Sequence, residues 1–302
     1  MKALKLTAAL FAASSMMVGA SASDLNKGLM GLWHLDGDAH DASGNGHDGV
    51  VVGATVVPNG ISGSAYAFDG NDRITVGNLD FSGERFTVNI WLQTDRAAKV
   101  EDWRMPINKA DSSAINQTFQ ILLGDGRTPP EAGGNAPMMQ VWKNAGGLVN
   151  EGVGSNSNIN ARDGSWHMAT MTYTRGQQVL YVDGCPVSYG RYNGPLPLVP
   201  GEVAIGGVEG LVFHHPWIGQ LDEVSIYSRE LSHGDVLKLY RAFRPSGGCG
   251  SASREELTQA LCHNLTASTS VTALISRGFW NCAGLATSVG DKLSTDLSGT
   301  TQ

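Results

Sequence analysis

Carboxylates are the residues of this chain whose spacing could do chemistry. Asp36, Asp38, Asp41, Asn45 and Asp48 fall within 13 residues of a Gly-rich stretch, and Asp222-Glu223 stands in a late apolar segment. In the run from Ile218 to Tyr227, period-two alternation puts Asp222 with Val224 and Ile226 on one face, and Glu223 with Ser225 and Tyr227 on the other. If Val224 and Ile226 point into a core, Asp222 starts inward as well. An ionised carboxylate there is costly unless it is paired or holds a metal. Calcium takes roughly six to eight oxygen ligands, and a Gly-rich loop can add carbonyls to its carboxylates. The competing expectation is that Asp222 caps a turn or pairs with Arg73 or a main-chain amide. The first loop is not an EF-hand, because His40 occupies the third ligand slot and no Glu stands at the twelfth.

Other chemistries leave weaker traces. His40 and His47 are too far apart to share one helix face, and the adjacent His214-His215 would point oppositely on a strand, so they read as solvated loop histidines. Aromatic rings that can stack on sugars are Trp103, Trp142, Tyr192, His214 and Trp217, while Trp33, Trp91 and Trp166 read as core. Trp103, between Asp102 and Arg104, is expected to be exposed. Retaining glycosidases place two carboxylates about 5 Å apart, and no Glu-x-Asp-x-Glu or Glu-x-Asp-x-x-Glu run occurs here. Gly-x-Ser-x-Gly, a phosphate loop and a sialidase Asp-box are missing too. Catalysis is therefore not the expected role.

The elements that must position these residues are strands. Phe86 to Gln93 alternates Phe86, Val88, Ile90 and Leu92 against Thr87, Asn89 and Gln93, so one face should meet a core and the other lie nearer solvent. Trp166 to Tyr173 and Val179 to Val182 are further strands, and Asp183-Gly184 is a primed-turn signal before a strand that begins at Cys185. Shorter strands are expected at Leu29–Leu35, Ala65–Phe68, Arg73–Val76, Phe119–Leu123, Met138–Trp142, Val203–Ile205 and Ile218–Tyr227. Gly124–Pro137, Asn150–Asp163 and Tyr192–Gly201 read as long loops. Ser232–Phe243 switches to a helical period, with Ser232 as N-cap and Val236, Leu239, Tyr240 and Phe243 on one side.

Composition supports this picture. The chain has 39 glycines, and only 16 % of its residues are charged, as suits many short strands and tight turns. Lys2 and Lys5, the apolar run Leu6–Val18 and Ala20-Ser21-Ala22 match a signal peptide cut after Ala22. About 13 apolar residues are too few to span a bilayer, which takes roughly 20, and no later segment reads as a membrane span. Without Lys2 and Lys5 the 21 basic residues fall to 19 against 28 acidic, and this surplus of negative charge disfavours nucleic acid as a partner. An exported chain can oxidise Cys185, Cys249, Cys262 and Cys282, whose pairing stays open. The expected organisation is a leader over 1–22, a sandwich over 24–243 and a Cys-containing extension with some helix over 244–302.

Several segments in order carry a family resemblance. They are Gly31-Leu32-Trp33-His34-Leu35-Asp36 followed by Asp41-Ala42-Ser43-Gly44-Asn45-Gly46, then Ala67-Phe68-Asp69-Gly70, Phe86-Thr87-Val88-Asn89-Ile90-Trp91, Trp166-His167, Leu180-Tyr181-Val182-Asp183-Gly184, and Gly219-Gln220-Leu221-Asp222-Glu223-Val224. Together they resemble the laminin-G-like jelly rolls of the concanavalin A-like class, a secreted bacterial type related to pentraxins. The resemblance implies an all-β fold of two antiparallel sheets, with ligand sites on loops or on the concave sheet. It also implies a structural calcium between the first loop and the late Asp, here Asp41, Asn45 and Asp222. The expected function is a secreted, periplasmic or cell-surface recognition module for a glycan or a cell-surface or matrix polymer, with Trp103, Tyr192, His214 and Trp217 as ligand-binding residues. Two alternatives stand beside it: a surface adhesion protein that binds other proteins, including an envelope protein, and a divergent polysaccharide-degrading enzyme.

Overall fold

A computed structural model describes residues 25–94, 104–110, 117–123, 137–144, 148–153, 161–191, 196–207 and 216–249. The described chain forms two antiparallel sheets and one helix, a jelly-roll sandwich. The first sheet holds β1 (Leu29–Trp33), β3 (Thr55–Pro58), β4 (Ser64–Asp69), β6 (Arg85–Gln93), β11 (Trp166–Thr174), β12 (Gln177–Val182), β13 (Cys185–Arg191) and β15 (Ile218–Tyr227). Its order is β13-β12-β11-β6-β15-β4-β3, with β1 also on β15. The second holds β2 (Val50–Val52), β5 (Arg73–Thr75), β7 (Arg104–Ala110), β8 (Gln117–Leu123), β9 (Pro137–Asn144), β10 (Leu148–Val153) and β14 (Val203–Ile205), in the order β10-β9-β8-β7-β14-β5-β2.

Apolar side chains on the two inner faces make the core. Phe86, Val88, Ile90 and Leu92 of β6 meet Ile107, Ile121, Phe119 and Ile205 of the facing sheet. Phe81, Phe86, Phe119 and Tyr173 form an aromatic knot, with Phe81 and Phe86 edge to face at 5.0 Å and Phe86 stacked on Tyr173 at 5.1 Å. Gly206 is forced by this packing: its φ is +88°, and a Cβ there would sit 2.1 Å from the Phe68 ring.

The expected strands are present, and β2, β3, β7 and β10 are additions. β10 occupies part of the stretch expected to be the loop Asn150–Asp163. The other correction concerns β6, whose second face was expected nearer solvent. Thr87 and Asn89 are buried there, because helix α1 (His233–Phe243) and the turn before it cover that face. Thr87 Oγ1 donates to the Arg229 carbonyl at 2.9 Å and accepts from Leu231 N at 2.9 Å, and Thr170 Oγ1 donates to Asn89 Oδ1 at 2.6 Å. Ser232 caps α1 in a capping box with Asp235, as its sequence implies. Tyr240 then stacks on Trp91 at 5.4 Å, and Phe243 meets the same ring edge to face at 5.8 Å. Trp33 and Trp91 are core residues, whereas Trp166 is only half-buried at the rim of the smaller cluster under α1.

A disulfide joins Cys185 at the start of β13 to Cys249 just beyond α1, 64 residues on. Of the pairings left open by the sequence, this one ties the end of the helical segment to the first sheet. Cys262 and Cys282 lie outside the described residues. Among the described residues, no helix is long and apolar enough to cross a membrane.

Candidate functional site

Three of the carboxylates singled out from the sequence, Asp36, Asp222 and Glu223, meet at a discontinuity of β15. Its first half, Ile218–Leu221, pairs with β4, and its second half, Val224–Tyr227, pairs with β1. On its other side β15 pairs with β6, and the register slips: Asp222 faces Trp91, while Ser225 already faces Asn89. Glu223 and Val224 therefore stand opposite Ile90 alone, which is a β-bulge. Glu223 carries the distortion with φ +47°, a left-handed conformation that costs a non-glycine residue about 1–3 kcal/mol.

Two segments enter the gap between β1 and β4. His34, one residue past β1, places Nδ1 3.0 Å from each carboxylate oxygen of Glu223. The turn at residues 60–64 closes on Asp222, whose Oδ2 accepts from Ile61 N at 2.8 Å and Ser62 N at 3.3 Å, while Oδ1 accepts from Glu223 N at 2.9 Å. Asp36 braces the far end of that turn by accepting from Ser64 N at 2.7 Å. Asp222 is 0 % exposed, as its alternation with Val224 and Ile226 requires, and its satisfaction by main-chain amides is the second of the two expectations set out for it. Burial pushes its carboxyl up to about 7, the Glu223 charge adds to the rise, and the three amides oppose it. Glu223 is also raised, chiefly by burial and further by Asp36, against the pull of His34.

Asp41 organises the first loop. Its Oδ1 accepts from Leu32 N at 3.0 Å and Ser43 N at 2.9 Å, and its Oδ2 accepts from His47 N at 3.0 Å. Burial raises its pKa, but hydrogen bonds from Ser43, Leu32 and His47 outweigh that and hold the carboxyl below its usual value. Asn45 Nδ2 donates to the carbonyls of Leu29 at 2.9 Å and Met30 at 3.1 Å. His40 pairs with Asp48 at 2.8 Å, and the Trp33 indole N–H donates to the His47 carbonyl at 2.8 Å.

These bonds bear on the calcium expected at Asp41, Asn45 and Asp222. Main-chain N–H groups point at both carboxylate oxygens of Asp41 and of Asp222, three to each side chain, and Asn45 is anchored through its Nδ2. Among the described residues, no group of three or more His, Cys, Asp or Glu side chains could hold a metal ion. As placed, the three residues do not fit a common calcium ligand set.

Of the expected sugar-stacking residues, Trp103, Tyr192 and His214 lie outside the described residues. Trp217 requires a correction. It is 0 % exposed and belongs to the main core, with its backbone N–H donating to the Gly206 carbonyl at 2.8 Å. A tryptophan entering a strand beside the core buries its ring inward, where no sugar can stack on it.

Sequence reading missed the pairing of His34 with Glu223, because no residue type there announces the bulge that brings them together. It also missed two buried amides of the second sheet, Asn108 and Gln120, which stand opposite each other in the β7–β8 register. Asn108 is 0 % exposed, yet neither amide atom has a hydrogen-bond partner.

The carboxylate junction thus sits between the strands of a jelly-roll sandwich. The profile of the Concanavalin A-like lectin/glucanases superfamily, laminin-G type, matches residues 68–237, more than half of the chain, and the chain belongs to this family. Among solved structures, the binding domain of Paraclostridial Mosquitocidal Protein 1 superposes with a TM-score of 0.56 at 18 % identity, covering 73 % of this chain and 53 % of that one. Domain 4 of AbnA, an extracellular arabinanase from Geobacillus stearothermophilus solved with arabinotriose, gives 0.52 at 19 % identity, covering 70 % and 98 %. The binding domain of Botulinum Neurotoxin DC, solved with SialylT, gives 0.53 at 13 % identity, covering 73 % and 52 %. The chain thus spans about half the length of the two toxin domains. At these identities the likeness establishes the fold. No curated protein matches the chain.

Proposed function

We propose that this chain is a non-catalytic carbohydrate-recognition module of a secreted or cell-surface protein, taking a glycan or a matrix polymer as ligand. The observation that carries the reading is the superposition on the arabinotriose-bound domain 4 of AbnA, nearly all of which this chain covers. The SialylT-bound neurotoxin domain points the same way. The Cys185–Cys249 disulfide suits an oxidising compartment outside the cytoplasm. Binding in this reading does not need calcium, since Asp41, Asn45 and Asp222 spend polar atoms inside the fold.

The test is a glycan array probed with the full chain, with and without calcium, beside an assay for reducing ends released from the polysaccharides that bind. Specific retention without release supports the proposal. Release of reducing ends would replace it with the polysaccharide-degrading enzyme, and no retention on any glycan would leave the adhesion protein as the better account.

A further inference from the structure

A cleft of about 330 Å³ opens between residues 78–81 and residues 198–200. Its floor is unusual for an inner face. Lys109 of β7 stands between Val203 and Phe119, its partners across the sheet, both of which are core residues. Lys109 is 2 % exposed, and its Nζ lies 6.0 Å from the centre of the Phe81 ring. The ammonium donates to Asn78 Oδ1 and to the Gly201 carbonyl. An ammonium has three hydrogens, so among the described residues one donor is left over in a place where water has little access. Burial lowers this group to about 8, with Asp80 and Glu202 working against the fall.

The wall and rim supply complementary chemistry. Asp80 is exposed, and its carboxylate accepts from Ser82 N at 2.8 Å and Ser82 Oγ at 2.9 Å, which leaves lone pairs on both oxygens. Leu198 is 54 % exposed, a large apolar side chain held open at the mouth beside exposed Pro200. A cationic donor, an anionic acceptor and an apolar ledge thus surround one small volume. Adjacent hydroxyls on a ring satisfy the first two together, one accepting from the ammonium and the other donating to the carboxylate, while the C–H face of the ring covers the ledge.

We propose that this cleft is a subsite for one neutral sugar unit, with a vicinal diol bridging Lys109 and Asp80 and the apolar ring face on Leu198 and Pro200. The inference rests on the carbohydrate-recognition reading and narrows it. The volume lies near the lower end of the range for small-molecule sites, about 300–1,000 Å³, which suits a single ring and not a run of them. Charge sets the selectivity. Asp80 and Glu202 both act on the Lys109 cation, and no second cation lines the cleft among the described residues, so a uronate or another acidic sugar meets net repulsion.

The experiment uses the isotopically labelled full chain and titrates it with D-galactose, D-glucose, D-mannose, L-arabinose and D-glucuronate, following amide shifts. A neutral sugar is expected to move resonances at residues 78–81, 109 and 198–201, and glucuronate is expected to leave them in place. Asp80→Ala and Leu198→Ser change exposed side chains and should keep the fold, and each should weaken the neutral sugar by about tenfold. Unchanged affinity in both variants, shifts confined to other residues, or preference for glucuronate would overturn the subsite. If glycans bind on the array but perturb residues elsewhere, the subsite falls and the recognition module stands. If no sugar or glycan binds at all, both fall together.

Discussion

Replacing Asp222 with asparagine should flatten the pH dependence of folding stability, and the structure sets the size of the effect. The Asp222 carboxyl rises from 3.8 to about 7 in the folded chain, chiefly through burial. Below pH 3.8 both folded and unfolded chains hold the proton, and the native state keeps its full stability. Between 3.8 and about 7 the unfolded chain releases the proton while the folded one retains it, so stability falls as pH rises. Above that window the loss is constant. Each pH unit is worth about 1.4 kcal/mol, which caps the loss at about 4 kcal/mol, and relaxation of the polar turn around the carboxylate reduces it to ~2 kcal/mol. Asparagine keeps one acceptor for the amides of Ile61 and Ser62 but turns an N–H₂ group toward the Glu223 N–H. The variant should therefore be less stable by ~1 kcal/mol at acid pH and lose its disadvantage on the way to neutrality. Urea denaturation followed by tryptophan fluorescence at about pH 4.5 and about pH 7.5, read through linkage, measures both curves. His167, whose pKa is also raised, contributes a slope of the same sign in both proteins and cancels in the difference, whereas Glu223 is charge-coupled to Asp222, so the difference between the curves reports the Asp222–Glu223 pair. Parallel curves, or a wild type that gains stability toward neutral pH relative to the variant, would refute the assignment of a buried, proton-holding Asp222.

Two further outcomes follow from the geometry. Cys185→Ser with Cys249→Ser opens a loop of 64 residues, for which chain entropy assigns about 4 kcal/mol. The melting temperature should drop by about 10 °C, and peptide mapping that joins Cys249 to a different cysteine would contradict the pairing. Chelation tests the cation: with the oxygens of Asp41 and Asp222 taken up by amides, EDTA should shift the melting temperature by less than ~1 °C, whereas a fall of about 5 °C, restored by calcium, would reinstate an ion that binds the native state.

What was legible in the sequence was whatever repeats with a period. The alternation of β6 and β15, the primed turn at Asp183-Gly184 and the Ser232 cap all appear where residue type predicts them. The inward direction of Asp222 follows from the same rule. The rule fails one residue later. Period two separates Asp222 and Glu223 onto opposite faces, but the bulge and the positive φ of Glu223 turn its carboxylate toward His34. A bulge at a non-glycine residue has no compositional signal, so the junction of four polar side chains was invisible. Trp217 failed for a different reason. Its neighbours His214, His215 and Pro216 suggested a rim, while its burial comes from the core cluster it joins, built of residues far away in sequence such as Phe68 and Ile74. Burial of both faces of β6 is likewise a tertiary effect, imposed by a helix more than 130 residues away.

The seat of α1 on Trp91 and Tyr181 has a practical corollary. With Tyr240, Phe243 and His233 laid over those rings, the first sheet has a back that is already occupied, and the molecule is lopsided. Attaching the protein to a sensor surface through Lys238, exposed on that helix, would leave the second sheet facing away from the surface.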